Sequence, residues 1–114
     1  MPIQDNLFIT KGNYKTFALE LRTDEGDQLH DLDKASFEFM LKDMEEVEAL
    51  KLLSPTDVKP DEPDHSQVLV TIDTARSEKL EVGLYRYALQ ARWPDGRVHE
   101  WVFPRVFHVF DHMI

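Results

Sequence analysis

A chain of 114 residues, 42% hydrophobic and 31% charged, carries enough apolar side chains for one folded core and has the balance of a globular domain. It contains no cysteine, which excludes a disulfide framework, a thiolate metal site and a cysteine nucleophile. Its 22 acidic residues outnumber 13 basic ones, for a formal charge of −9, so phosphate backbones and anionic membranes are repelled, and neither nucleic acid nor membrane is an expected partner.

No apolar run is long enough to span a bilayer, and the first residues, MPIQDNLF, lack the basic and apolar regions of a secretory signal. The protein is therefore expected to be made and kept in the cytoplasm unless it leaves as part of an assembly. Leu7 to Thr10 form a short apolar segment, Lys11, Gly12 and Asn13 a turn, and Phe17, Leu19 and Leu21 then alternate with Ala18, Glu20 and Arg22 as a half-buried strand. Thr23 to Gln28 read as a turn. The polar stretch to Lys34 offers only Leu29 and Leu32 to plug one end of a core. In ASFEFMLK, Phe37, Phe39 and Leu41 point inward and Met40 outward.

The segment DMEEVEALKLL is ambiguous, because Met44, Val47 and Leu50 have helical spacing and the composition favours helix. Its position directly after a strong strand favours a second strand, from about Val47 to Leu53, with the acidic residues between them forming a hairpin loop. From Ser54 to Gln67 the chain carries Pro55, Pro60 and Pro63 and no periodic apolar pattern, which predicts an exposed, extended loop. Val68, Val70 and Ile72 mark a further strand. TARSEKL then supplies one helical turn capped by Asp73 or Thr74, with Leu80 packing under the sheet and Gly83 releasing the chain into the next strand.

The stretch from Gly83 to Phe103 is one long β-hairpin, with Pro94, Asp95 and Gly96 as a three-residue loop with a bulge. Trp93 opposite Arg97 pairs Ala91 with His99, Leu89 with Trp101 and Tyr87 with Phe103 on the core face. Arg92 with Val98, Gln90 with Glu100 and Ala88 with Val102 share the other. Pro104 interrupts the ladder, and an almost wholly apolar run resumes through Phe110. The sequence thus predicts a single domain over residues 1–114 of all-β class, an antiparallel β-sandwich of Ig-like or jelly-roll-like kind with about seven strands and one short helical turn.

Side chains with catalytic or ligating chemistry do not assemble into a motif. His108 and His112 flank Asp111, but on a strand the two histidines point one way and the aspartate the other, short of a metal site. His65 with Asp61, Glu62 and Asp64 lacks calcium-loop spacing and reads as a solvated loop. Glu20, Glu38 and Glu100 occupy outward strand positions; Ser36, Ser54, Ser66 and Ser77 stand in no nucleophile context; four glycines form no phosphate loop. Neither an enzyme activity nor a cofactor is expected.

Several stretches carry a family likeness: LFITKGNYKTFALEL, ASFEFMLKD, VLVTIDTARSEKL and GLYRYALQARWPDGRVHEWVFPRVFHV, in this order over most of the chain. In them the chain resembles the small β-sandwich domains of tailed-phage baseplates, such as the N-terminal domain of the upper baseplate protein or a domain of a lactococcal phage receptor-binding protein. Gly83, Tyr85, Tyr87, Asp95, Gly96, Phe107 and Val109 carry the most distinctive part, whereas Pro104 and Arg105 stand where the family has a small residue. The resemblance implies a structural or adaptor part of a tail or baseplate, with a role in host attachment, working as an oligomer with other tail proteins and located in the virion tail. It implies no catalytic residue. Two other readings stand beside it: a small acidic inhibitor of a host nucleic-acid-binding protein, and a module binding cell-wall carbohydrate through exposed aromatics. A final strand apolar on both faces needs cover from outside a two-layer sandwich, which makes Val106, Phe110, Met113 and Ile114 the candidate interface for self-association or docking.

Overall fold

Alternation of inward apolar and outward polar side chains builds two facing sheets. The computed structural model describes residues 7–21, 34–60 and 67–113. In chain order these hold β1 (Leu7–Thr10), β2 (Lys15–Glu20), β3 (Ser36–Asp43), β4 (Glu48–Leu53), β5 (Val58–Pro60), β6 (Gln67–Ile72), α1 (Thr74–Glu78), β7 (Gly83–Arg92) and β8 (Val98–Phe110). One sheet runs β1-β8-β7-β3-β4 and the other β2-β6-β5, a β-sandwich as expected. The pairings are antiparallel except that β1 lies parallel to the end of β8, with Leu7 opposite Phe107 and Thr10 opposite Phe110. No helix among the described residues is long and apolar enough to cross a membrane.

Phe17, Leu19, Val58, Val68, Val70 and Ile72 from the smaller sheet meet Ile9, Phe37, Phe39, Leu41, Leu52, Tyr87, Leu89 and Phe107 from the larger one, all buried. The rings of Phe17 and Phe107 meet edge to face across the sheets at 5.3 Å, and Tyr87 stacks on Phe103 at 4.9 Å. Aromatic contacts of this kind add to the area they bury.

The β7–β8 register is the expected one: Ala91 opposite His99, Leu89 opposite Trp101, Gln90 opposite Glu100, Ala88 opposite Val102. In the turn, Trp93 N donates to Arg97 O, Gly96 takes φ 95°, and the Asp95 carboxylate accepts the Arg97 N–H at 3.0 Å. The register then shifts, and the expected pairing of Tyr87 with Phe103 is not part of the ladder. Arg86 pairs with Val106 while Ala88 pairs with Val102, so Tyr87 alone spans the three residues around Pro104, where β8 has no N–H to give the ladder. Trp101 faces the core but is only half-buried, less enclosed than the sequence pattern suggests.

Residues Glu48–Leu53 form a strand, not a helix. The loop before it closes because the Asp43 carboxylate accepts from Glu45 N and Val47 N at 2.9 and 3.0 Å, while Glu46 takes φ 68°. The extended loop expected after Ser54 needs correction, since it contains β5 and the strands number eight among the described residues. Val58 is fully buried opposite Val70. Three residues are too few to display a period, and an edge position tolerates the proline that ends β5. The helical turn is capped as expected, with Asp73 accepting from Arg76 N at 2.8 Å and Leu80 buried beneath it. The turn at Thr23–Gln28, the plugging role of Leu29 and Leu32, the His65 cluster and Ile114 lie outside the described residues.

Candidate interaction surface

The two outer faces of the sandwich differ in chemistry. On the smaller sheet, β2 and β6 present Thr16, Ala18, Glu20, Gln67, Leu69 and Thr71 outward, and the hydroxyls of Thr16 and Thr71 lie 3.0 Å apart in a cross-strand hydrogen bond. On the larger sheet the outward positions include Phe8, Leu53, Leu84, Val98, Val102 and Phe110, each between 42% and 60% exposed. Water is thus left against six large apolar side chains on one sheet face, the pattern that marks contact surfaces.

Antiparallel register arranges this face in rows across the strands. Met40, Ala88 and Val102 form a central apolar strip, flanked on one side by Glu38, Gln90 and Glu100 and on the other by Lys42 and Arg86. A shallow depression of about 270 Å³ lies over the strip. Lys51 reaches Glu38 at 3.4 Å and Glu48 at 3.8 Å, and Arg86 bonds Glu46. These pairs are exposed and worth little individually. Farther along, Phe8, His108 and Leu84 share one row, with the Phe8 and Phe110 rings edge to face at 6.1 Å and His108 against Phe110 at 4.0 Å.

Of the candidate interface, Phe110 lies on this outer face at 42% exposure and Val106 is half-buried on it. Met113 is 95% exposed beyond the end of β8, off the strands. The final strand therefore separates its apolar residues as expected, Phe107 and Val109 into the core and Val106 and Phe110 outward. Leu53 of β4, Leu84 of β7 and Met40 of β3 lie on the same face. Sequence reasoning paired Ala88 with Val102 and pointed Met40 outward but did not join Met40 to that pair, because the β3–β7 neighbourhood that joins them is not visible in one-dimensional spacing.

The remaining chemical groups stay apart. Among the described residues no group of three or more His, Cys, Asp or Glu converges on a common point. His112 Nε2 lies 3.1 Å from Glu78 Oε2, fastening the segment after β8 to α1, while His108 sits on the outer sheet face. Glu38 and Glu100 share a row with Gln90 between them, and Glu20 is on the other sheet. Ser54 Oγ accepts the Phe37 N–H at 2.8 Å, and buried Ser77 donates to Asn13 O at 2.8 Å, so both hydroxyls serve structure. Trp93 is buried beneath the Arg97 guanidinium, 5.0 Å from its ring. The Tyr85 hydroxyl donates to Glu81 O at 2.5 Å, and burial raises its pKa. That bond staples the linker after α1, and nothing in the sequence spacing indicates it.

Comparison with protein-family models gives no match, and comparison with curated proteins gives none either. Among solved structures, the chain is similar to the crystal structure of CopC from Methylosinus trichosporium OB3b, with a TM-score of 0.53 and 14% identity over 96% of this chain and 87% of that one. At that identity the likeness concerns the β-sandwich fold alone.

Proposed function

We propose that the chain is a structural or adaptor module of a phage tail or baseplate, acting through protein–protein contacts and contributing to host attachment. The observation that carries the contact role is the asymmetry of the sandwich: one outer face polar, the other holding Phe8, Leu53, Leu84, Val98, Val102 and Phe110 against water. Exposed apolar area of this kind is costly to leave wet and is covered in an assembly. The tail or baseplate assignment rests on the resemblance of its strand and turn segments to baseplate β-sandwich domains. A carbohydrate module is supported less, since the depression over Met40, Ala88 and Val102 is lined by no exposed aromatic ring on which a sugar would stack.

The test is location and company. Antibody raised against the chain and applied to intact phage particles should label the tail tip in electron microscopy. Purified tail-tip proteins should hold the full chain in a pulldown. Label absent from particles, together with capture of a nuclease or polymerase by the purified chain, would favour the acidic-inhibitor reading instead.

A further inference from the structure

β8 runs from Val98 to Phe110, but β1 flanks only its end, from Phe107 to Phe110. Among the described residues no strand continues the larger sheet past Val98–Val102. Trp93 N donates to Arg97 O, so His99 and Trp101, at alternate positions from Arg97, exchange ladder bonds with β7. The N–H and C=O groups of Val98, Glu100 and Val102 therefore point the other way, and they have no partner among the described residues. The edge of β1 is different. Lys11 N donates to Phe110 O, which turns the carbonyls of Phe8 and Thr10 away from β8, and both are occupied: Lys15 Nζ donates to Phe8 O at 2.8 Å and Asn13 N to Thr10 O at 3.0 Å.

Side-chain burial repeats the asymmetry. On β7, which has a strand on each side, Leu89 and Ala91 are fully buried, whereas Trp101 and His99 opposite them on β8 face the same core and are only half-buried. A strand added beyond β8 would lay its inward side chains beside Trp101 and His99 and extend the core over them. On the outward side Val98 and Val102, 51% and 60% exposed, flank Glu100, whose carboxylate has no ion-pair partner among the described residues. We propose that Val98–Val102 is where an extended segment of a partner protein joins the larger sheet as a further strand, with apolar residues opposite His99 and Trp101 and a lysine or arginine opposite Glu100. The inference rests on the contact role proposed above and gives the chemistry of the partner. The same edge of a second copy fits poorly: pairing Val98 with Val102 sets one Glu100 carboxylate against the other, and the neighbouring registers run the ladder into Pro104, which lacks an N–H, or into the Gly96 turn.

A synthetic peptide tests this on the full chain. Acetyl-Ser-Val-Ile-Lys-Ile-Val-Ser-amide reads alike in both directions, so it serves a parallel or an antiparallel approach, with its lysine beside Glu100 and its isoleucines beside His99 and Trp101. Binding is expected with a Kd on the order of 100 μM. Tryptophan emission should shift to the blue, because Trp101 loses water while Trp93 is buried already. The amides of Val98, Glu100 and Val102 should exchange rapidly in the free chain and become protected by the peptide. Val102→Pro removes an edge donor and no ladder bond to β7, so it should keep the fold, checked by circular dichroism and thermal unfolding, and weaken binding roughly tenfold or more. Glu100→Lys, a change at an exposed side chain, should weaken the lysine peptide about tenfold and favour the same peptide with glutamate at its centre. Protection of the three amides in the free chain overturns the proposal, because the chain then covers this edge itself. No binding at about 1 mM peptide overturns it too, as does binding indifferent to both variants. Failure of the peptide with retention by tail-tip proteins intact would put the contact elsewhere on the chain and leave the adaptor role standing.

Discussion

Phe107 and Trp101 both point inward from β8, yet truncating them removes different amounts of buried surface. Phe107 is fully enclosed, with its ring against Phe17 and Tyr87 at 5.3 and 6.4 Å. Phe107→Ala should therefore cost about 3–5 kcal/mol in urea unfolding, the loss usual for a large core aromatic. Trp101 is half-buried and packs against His99 at 4.3 Å, so Trp101→Ala should cost about half as much, in proportion to the area that leaves water. Equal losses for the two would mean that Trp101 is covered more fully than its contacts indicate. Asp95 makes a prediction of a different type. The Arg97 backbone N–H, and then the guanidinium at 2.8 Å, hold its carboxyl below the ordinary value of 3.8. A carboxyl depressed in the folded state stabilises the fold above the unfolded value, and that contribution disappears as pH falls through the lower folded value. The stability difference between the wild type and Asp95→Asn should accordingly be present at neutral pH and close as the solution is acidified below 3.8. Thermal unfolding at a series of pH values measures it, and a difference constant with pH contradicts the account.

At the scale of elements, the turns show which local signals are sufficient. Pro94, Asp95 and Gly96 announce their loop because proline, an acceptor and a glycine each satisfy one requirement of its geometry, and the paired register follows from it. The β3–β4 turn is less legible: Glu46 occupies a positive φ that favours glycine or asparagine, and only the Asp43 acceptor two residues before Glu45 hints at the closure. Glu46→Gly should relieve about 1 kcal/mol of backbone strain while losing an exposed pair to Arg86 worth less than that, so a neutral or slightly stabilised protein is expected. Thermal unfolding decides it; a loss beyond about 1 kcal/mol would mean that the Arg86 contact outweighs the strain. The helix cap behaves in the opposite way, since Asp73→Ala removes an acceptor from Arg76 N and should cost about 1 kcal/mol. β5 was hidden because its only buried side chain, Val58, sits between prolines, where period-two reading has no second position to confirm it. The half-buried state of Trp101 was hidden for another reason: alternation gives the face a residue points to, but not how far the opposite sheet extends over it.

For the whole molecule, the separation into one polar and one apolar outer face is a property of strand order. Leu84 and Val102 belong to adjacent strands, but Phe8 joins them only because β1 pairs in parallel with the end of β8, where its partner is His108, 100 residues later in the chain. Each apolar position read separately is an ordinary surface valine, leucine or phenylalanine, and only the assembled sheet makes them a surface. A charge placed on that face should therefore affect association without affecting the fold. Val102 is 60% exposed, so Val102→Lys should shift stability by no more than about 0.5 kcal/mol. It places a lysine in the centre of the apolar strip, where a partner would have to strip its ammonium of water, and should abolish retention by tail-tip proteins. Ala18→Lys on the exposed face of β2 serves as the matched control, with the same charge added to the opposite side of the sandwich. It should leave the pulldown unchanged. If both variants associate as the wild type does, the larger sheet's outer face is not the contact surface. If Ala18→Lys alone abolishes retention, the contact lies on the smaller sheet, and the apolar side chains of the larger one are exposed without a partner.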